Sequence, residues 1–219
     1  MTRTIAILPV KSFGAAKQRL GGLIEAEARS ILARAMLSDV LATLAQVPAI
    51  EEVAVVTANP LAADLEGDPG VRVLPDGRED GQSPAALIGM AHARRHGFDR
   101  ALLVPGDAPL LDPGEVSTLL GRSESLVIVP DRHGSGTNGL LMDPVGVIEP
   151  SFGPDSRARH EAAAQQAGVD YAIDPLPSLV LDVDTPADLQ ATARALGARA
   201  GGAVATREAL QRLSLAAAS

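Results

Sequence analysis

Short apolar runs that stop at Pro or Gly alternate along this chain with longer stretches whose apolar residues recur at helical spacing. Ile5-Ala-Ile-Leu8 runs into Pro9, and Glu25 to Ala45 then carries Ile31, Leu32, Ala35, Met36, Val40, Leu41 and Leu44, with Pro48 just beyond its end. Val53-Ala-Val-Val-Thr57 reads as a second strand, Asn59-Pro60 as a turn or helix start, and Val71–Leu74 as a third strand closed by Pro75-Asp-Gly77. From Ser83 or Pro84 to His96 the period is helical again, and Arg100–Val104 is a buried strand ending in Pro105-Gly-Asp107. Such alternation with short connections predicts βαβ units, a mostly parallel sheet flanked by helices, and a ligand site at the carboxyl edge of the strands.

The second half continues the pattern. Asp112-Pro113 starts a helix to Leu120, with Glu115 at the capping-box position, and Ser125-Leu-Val-Ile-Val-Pro130 is the next strand. A polar, glycine-rich loop, 131–139, leads to Leu140-Leu-Met142. A loop with Ser151-Phe-Gly-Pro-Asp-Ser156, a helix to about Ala167, strands at Asp170–Ile173 and Leu179–Val183, and a helix opening at Thr185-Pro186 follow. Beyond Gly201-Gly202 an amphipathic segment, Ala203–Leu215, is available to dock on the body or on a second copy. At 219 residues the chain is long enough to bury one α/β core without disulfides.

Composition excludes several classes of function. No cysteine is present, which removes thiol catalysis, iron–sulfur clusters and cysteine-ligated zinc and makes a reducing, cytoplasmic setting the simpler expectation. No run of eighteen apolar residues occurs, so no membrane-spanning helix is expected. A formal charge of −8, with three Phe, one Tyr and no Trp, argues against nucleic-acid binding, while a single nucleotide needs only a few local cations and a metal.

Lys11 and Lys17 are the two lysines among nineteen basic residues, and Arg19 stands beside them in the loop after the first strand. In an arginine-rich chain, lysines kept in one loop suit sites that want a compact ammonium, although exposed lysines after a strand are also common. Asp107 directly follows a buried strand, and Asp182 and Asp184 are two apart, so strand alternation turns both to one face with Val183 opposite. Carboxylates on one face repel unless a cation sits between them, and hard oxygen ligands at this spacing suit Mg²⁺. Asp184 also reads as the start of a helix, an explanation that does not extend to Asp182. Cations beside an acidic metal site are what displacement at phosphorus requires, by charge neutralisation and alignment.

Two other motifs carry less. Gly134-Ser-Gly-Thr-Asn-Gly139 matches G-x-G-x-x-G but leads into a strand-like segment rather than a helix, so it is not read as a dinucleotide fingerprint. Its backbone amides and the Thr137 hydroxyl could still hold an anion. His92 and His96 share a helical face at metal-like spacing, but Arg94 and Arg95 between them mark an exposed helix.

Read in order, the stretches Leu8-Pro-Val-Lys-Ser-Phe-Gly-Ala-Ala-Lys-Gln-Arg-Leu20, Val104-Pro-Gly-Asp-Ala-Pro-Leu110, Asp131 with Gly136-Thr-Asn-Gly-Leu140, Ser151-Phe-Gly-Pro-Asp-Ser-Arg157 and Leu181-Asp-Val-Asp-Thr-Pro186 make a specific set. In them the chain closely resembles the guanylyltransferases that make the precursor of the deazaflavin coenzyme F-420, acting on 2-phospho-L-lactate in some lineages and phosphoenolpyruvate in others. The resemblance runs through about Gly197, which implies a guanylyltransferase domain over 1–197 and a tail with a short amphipathic helix over 198–219. It implies a Rossmann-like nucleotidyltransferase fold akin to glycosyltransferase-A domains, with Mg²⁺ held by Asp107, Asp182 and Asp184. It implies that Thr137, Gly153 and Ser156 hold the phosphate and carboxylate of the acceptor, and that Lys11, Lys17 and Arg19 attend the GTP phosphates in catalysis. Gln82 and Ser83 fall where such folds contact the base, or serve as a loop and helix cap. The chain lacks the glycine-rich first loop of the molybdenum-cofactor guanylyltransferases, which favours the phospho-acid branch. Its Arg- and Ala-heavy bacterial look favours phosphoenolpyruvate over 2-phospho-L-lactate. Use of CTP or a sugar phosphate by the same fold, or nucleotide binding without turnover, are the other readings.

Overall fold

The computed structural model describes residues 2–11, 20–22, 24–59, 65 and 67–217, the last four as backbone. Its centre is β1 (Thr4–Pro9), in which Ile5, Ala6, Ile7 and Leu8 are all fully buried. A strand apolar on both faces belongs in a parallel sheet covered on both sides. Accordingly β1 pairs in parallel with β2 (Ile50–Thr57) and β4 (Arg100–Leu103), and β2 pairs in parallel with β3 (Val71–Pro75). Ile5 and Ile7 pack with Ala85, Ala86, Met90 and Ala93 of α2 (Gln82–Arg95). Ala6 and Leu8 face Leu37, Val40, Leu41 and Leu44 of α1 (Ala26–Leu44), together with Val116 and Leu119 of α3 (Pro113–Leu120). Period-2 alternation in one strand thus divides two core layers, and burying each such Leu or Ile contributes about 2 kcal/mol.

Among the described residues seven strands form one sheet in the order β3-β2-β1-β4-β6-β5-β7. β5 (Leu126–Pro130) runs parallel to β7 (Tyr171–Ile173), whereas β6 (Thr137–Met142) is antiparallel to both β4 and β5. The reversal follows from the connection: residues 131–136 join β5 to β6, far fewer than the roughly dozen a parallel crossover needs. The reversed β6 therefore begins at the edge where β1, β4 and β5 end, and delivers Thr137 and Asn138 there.

α4 (Ser156–Ala167) covers the α2 side of the sheet through Ala164, and α5 (Pro186–Ala198) leads to α6 (Val204–Ala217). The amphipathic end of the chain docks on the body. Ala209, Leu210 and Leu213 of α6 join Leu32 and Met36 of α1, Leu189 of α5, and Val183 in a third apolar cluster. Buried Asp39 of α1 accepts from the amides of Ala205 (3.1 Å) and Thr206 (2.7 Å), which caps the otherwise orphaned first turn of α6 from another helix.

Two local expectations change. Leu179–Val183 is not a strand: Leu179 and Val180 spend their amides on a turn back to the Leu176 carbonyl, and among the described residues no strand forms a ladder with the segment. Asp112 does cap α3, accepting from the amides of Gly114 and Glu115, but Glu115 turns to accept from the Ser178 amide instead of closing a capping box. The reciprocal box is at α5, between Thr185 and Asp188.

Candidate active site

Asp107 lies in the connection from β4 to α3, and Asp182 and Asp184 lie just before α5. The two segments are tied by a backbone bond, the Val183 amide donating to the Asp107 carbonyl at 3.2 Å. Val183 is fully buried in the third cluster, so its neighbours on either side are turned the other way, toward Asp107. One carboxylate oxygen from each of Asp107, Asp182 and Asp184 lies within 4.8 Å of the other two. The alternation expected of a strand therefore survives without the strand.

Three carboxylates so close repel. The Asp182 carboxyl is pushed up to about 6, first by burial and then by the charges of Asp107 and Asp184, against the pull of its own backbone and of Asn138. Asn138 of β6 donates to Asp182 Oδ1 at 3.2 Å and to the Leu179 carbonyl at 2.9 Å, which fixes where the Asp182 segment crosses the sheet edge. Gly139 makes that crossing possible, because a Cβ there would stand 2.9 Å from Leu179 Cδ2 and 3.2 Å from Val129 Cβ. Behind the trio, Asp188 Oδ2 accepts from the Thr185 hydroxyl (2.7 Å) and the amides of Thr185 and Asp184, while Oδ1 pairs with Arg132 at 2.6 Å. Burial would raise this carboxyl, but the Thr185 bonds and the Arg132 charge together hold it below the usual aspartate range. Converging oxygens, a carboxyl raised by burial and by its like-charged neighbours, and a rigidly capped backbone are a donor set that fits a hard divalent cation such as Mg²⁺.

The other half of the site is built from the opposite side of β6. Thr137, the residue before Asn138, turns the other way and sets its hydroxyl oxygen 3.0 Å from His160 Nδ1 on α4. His160 is fully buried, and its Nε2 accepts from the Ser151 amide at 2.8 Å. Burial, then the nearby Arg159 charge, lowers its pKa to about 4. Arg159 holds the 151–154 loop by donating to Ser151 Oγ (2.8 Å), to the carbonyls of Ser151 and Phe152, and to that of Pro154. Gly153 in this loop has φ +112°, a conformation that L side chains rarely adopt, and its carbonyl accepts from the amide of buried Ser156 at 3.1 Å. The amide of Arg157 donates to the Ser135 carbonyl, which joins the first turn of α4 to the glycine-rich loop. Thr137 is thereby linked, through His160 and the Ser151 amide, to the loop that carries Gly153 and leads into Ser156. In the glycine-rich loop Asp131 accepts from the amides of Ser135 and Gly136, and a Cβ at Gly136 would sit 2.7 Å from the Asp131 carboxylate. Its glycines thus serve a β-hairpin, in keeping with the rejection of a dinucleotide fingerprint.

Of the cations read from the sequence, Lys11 is exposed just past β1. Val10 before it packs so near Gly106, the residue before Asp107, that a Cβ at Gly106 would lie 3.0 Å from Val10 Cγ2. Lys17 and Arg19 lie outside the described residues. Gln82 and Ser83 open α2, and neither caps it: the Ser83 hydroxyl accepts from the Phe152 amide at 2.8 Å, linking α2 to the 151–154 loop. His92 pairs with Glu52 at 2.6 Å and stacks on His96; its nitrogen faces a strand residue, away from the acidic trio.

Sequence reasoning gave no role to the side chains of Asn138, His160, Arg159 or Arg132. A signal existed for one of them: Ser156, His160 and Ala164, spaced by four, form the buried stripe of an otherwise polar helix.

Comparison with known proteins gives the family and the fold. A family model described as guanylyl transferase CofC like matches residues 4–215. The chain is 47% identical over 214 residues to the phosphoenolpyruvate guanylyltransferase of Conexibacter woesei, covering 96% of each. It is 39% identical over 209 residues to that of Rhodococcus erythropolis, covering 88% of this chain and 90% of the relative. Among solved structures, one described as a nucleotide-diphospho-sugar transferase from Desulfovibrio desulfuricans G20 superposes with TM-score 0.76 at 19% identity, covering 98% of both chains. A nucleotidyl transferase from Methanothermobacter thermautotroptrophicus gives TM-score 0.62 at 18% identity over 91% of this chain and 100% of its own. These two share the nucleotidyltransferase fold. With the family model spanning nearly the whole chain and a relative almost half identical along it, this protein belongs to the CofC-like guanylyl transferase family.

Proposed function

We propose that the protein transfers GMP from GTP to the phosphate of phosphoenolpyruvate, giving enolpyruvyl-diphospho-guanosine and pyrophosphate, as a step of coenzyme F-420 biosynthesis. The observation that carries this reading is that two consecutive residues of β6 reach an acidic trio and a polar network: Asn138 holds Asp182, and Thr137 contacts His160, which in turn accepts from the Ser151 amide at the start of the loop of Gly153 and Ser156. Two negatively charged reactants must be brought together at such a site, one through a cation and one through hydrogen-bond donors. The names of the relatives support the choice of GTP and phosphoenolpyruvate.

Asp107, Asp182 and Asp184 would hold Mg²⁺, which when bound neutralises phosphate charge and orients the triphosphate. Lys11, Lys17 and Arg19 supply further positive charge to the triphosphate from the loop after β1. The Thr137 hydroxyl, the Gly153 backbone and Ser156 at the N-terminus of α4 hold the phosphate and carboxylate of the acceptor. An oxygen of that phosphate attacks the α-phosphorus in line; the new P–O bond forms as the bond to the β-phosphate breaks, and pyrophosphate carries away the electron pair. No protein nucleophile is needed, so the chain's work is alignment and charge balance.

The test is to incubate the protein and Mg²⁺ with GTP or CTP and with phosphoenolpyruvate, 2-phospho-L-lactate or a sugar phosphate, measuring pyrophosphate. GTP with phosphoenolpyruvate is expected to give the fastest release. Release with CTP but not GTP would overturn the nucleotide assignment, and faster turnover of 2-phospho-L-lactate would overturn the acceptor.

A further inference from the structure

We propose that His160 is a positioning residue that forces the Thr137 hydroxyl to act as a hydrogen-bond donor toward the acceptor substrate. The inference rests on the reading above, in which Thr137 holds the acceptor's phosphate or carboxylate.

The argument begins with a group that can act in only one sense. The Ser151 amide lies 2.8 Å from His160 Nε2, and a backbone N–H can only donate, so Nε2 must present its lone pair. The ring is fully buried, with Phe152 edge-on at 5.5 Å between ring centres and the Arg159 guanidinium nearby, surroundings that keep an imidazole neutral. A neutral ring that accepts at Nε2 carries its proton on Nδ1. That proton points at Thr137 Oγ1, 3.0 Å away, so the threonine oxygen receives a bond on this side. Its own hydrogen is thereby released from the histidine and left to donate elsewhere.

The polarity matters because the hydroxyl can be used in two senses. Were the ring the other tautomer, Nε2–H would confront Ser151 N–H, donor against donor, and Thr137 would spend its hydrogen on Nδ1. The acceptor would then meet lone pairs, which repel a phosphate or carboxylate. The structure guards the favourable sense with a chain of single-sense contacts. Arg159, a pure donor, fixes the side chain and carbonyl of Ser151; Ser151 fixes the tautomer; the tautomer fixes Thr137. Ser83 adds a second anchor by accepting from the Phe152 amide. Together these links preset a donor before substrate arrives, so that binding does not have to reorient it.

Two measurements test this. The first needs no variant and no substrate: ¹⁵N NMR of the histidine-labelled enzyme at neutral pH should show His160 with a protonated Nδ1 and an unprotonated Nε2. A protonated Nε2, or a charged ring, would overturn the proposal whatever Thr137 binds. The second compares His160→Phe, His160→Asn and Thr137→Val in steady-state kinetics. Loss of a hydrogen bond to a charged ligand predicts a KM for phosphoenolpyruvate raised about ten- to a hundredfold in His160→Phe and Thr137→Val, with KM for GTP unchanged. His160→Asn, whose amide can restore a donor at the Nδ1 position, should recover most of the loss. If Thr137→Val raises KM for the acceptor and a folded His160→Phe does not, the positioning role is refuted while the acceptor site stands. If Thr137→Val leaves that KM unchanged, the acceptor assignment itself fails and takes the proposal with it.

Discussion

Replacing Asp182 with Asn should make the metal-free protein more stable while removing its activity. In the folded chain the Asp182 carboxyl is pushed up to about 6, from an ordinary 3.8, by burial and by the carboxylates of Asp107 and Asp184. Above pH 6 the group is ionised in both folded and unfolded chains, and the folded state bears the whole cost of holding that charge. A pKa difference of this size corresponds to about 3 kcal/mol. Asp182 is only partly buried, and water tempers such effects, so a gain of about 1–3 kcal/mol is expected from the neutral isostere. The Asn side-chain oxygen can still accept from Asn138, so the contact across the sheet edge is kept. For a chain of this length that gain corresponds to a rise in Tm of about 3–10 °C. The pH dependence supplies the sign: the stabilising proton is fully bound below about pH 3.8 and lost as pH rises through 6, so the advantage of Asp182→Asn should be full at pH 7.5 and shrink toward pH 4.5. Thermal unfolding in a chelator, of both proteins at both pH values, measures it. Added Mg²⁺ should then stabilise the wild type more than the variant. A variant no more stable than wild type in the chelator at pH 7.5 would refute the reasoning that three crowded carboxylates await a cation.

Other outcomes follow from the same structure. Gly139→Ala places a Cβ against Leu179 and Val129 and should cost about 1–3 kcal/mol, lowering the urea midpoint; it should also impair turnover, since the Leu179 carbonyl anchors Asn138. His160, held neutral down to about pH 4 while an unfolded histidine protonates near 6.5, should make the protein lose up to about 3 kcal/mol as pH falls between those values. Denaturant midpoints across that range should fall less for His160→Asn, and parallel curves would contradict the assignment. Lys17→Ala, in the loop the sequence marks for phosphate, should slow turnover far more than it lowers Tm; unchanged kinetics would return that loop to a merely solvated role.

The fold was legible where local pattern and tertiary role agree. Strand β1 is a run of four apolar residues because both its faces are covered, and α1, α3 and α5 carry helical spacing or caps close to where the helices form. The Leu179–Val183 run looked like a strand for the same reason, its apolar side chains being buried, yet a strand needs a partner and this segment's amides go to a turn and to Asp107. Period-2 reasoning still placed Asp182 and Asp184 together, because Val183 is pulled into the core between them. What escaped were residues whose role depends on chain segments far apart. Asn138 reaches Asp182 across 44 positions, and Thr137 reaches His160 across 23. Nothing local in Gly136-Thr-Asn-Gly139 tells that one side chain will meet a carboxylate and the next an imidazole, since that follows from β6 inserting, reversed, between β4 and β5.

The central claim is that an oxygen of the acceptor's own phosphate becomes the bridge to GMP. Phosphoenolpyruvate carrying ¹⁸O in the non-bridging oxygens of its phosphate, turned over with unlabelled GTP, tests this through the isotope shifts of the product's two phosphorus atoms in ³¹P NMR. The account predicts ¹⁸O in the bridge, shifting both phosphorus signals. A product with ¹⁸O confined to the acceptor phosphorus and ordinary oxygen in the bridge would show that the bridging oxygen does not come from the acceptor and would contradict the mechanism.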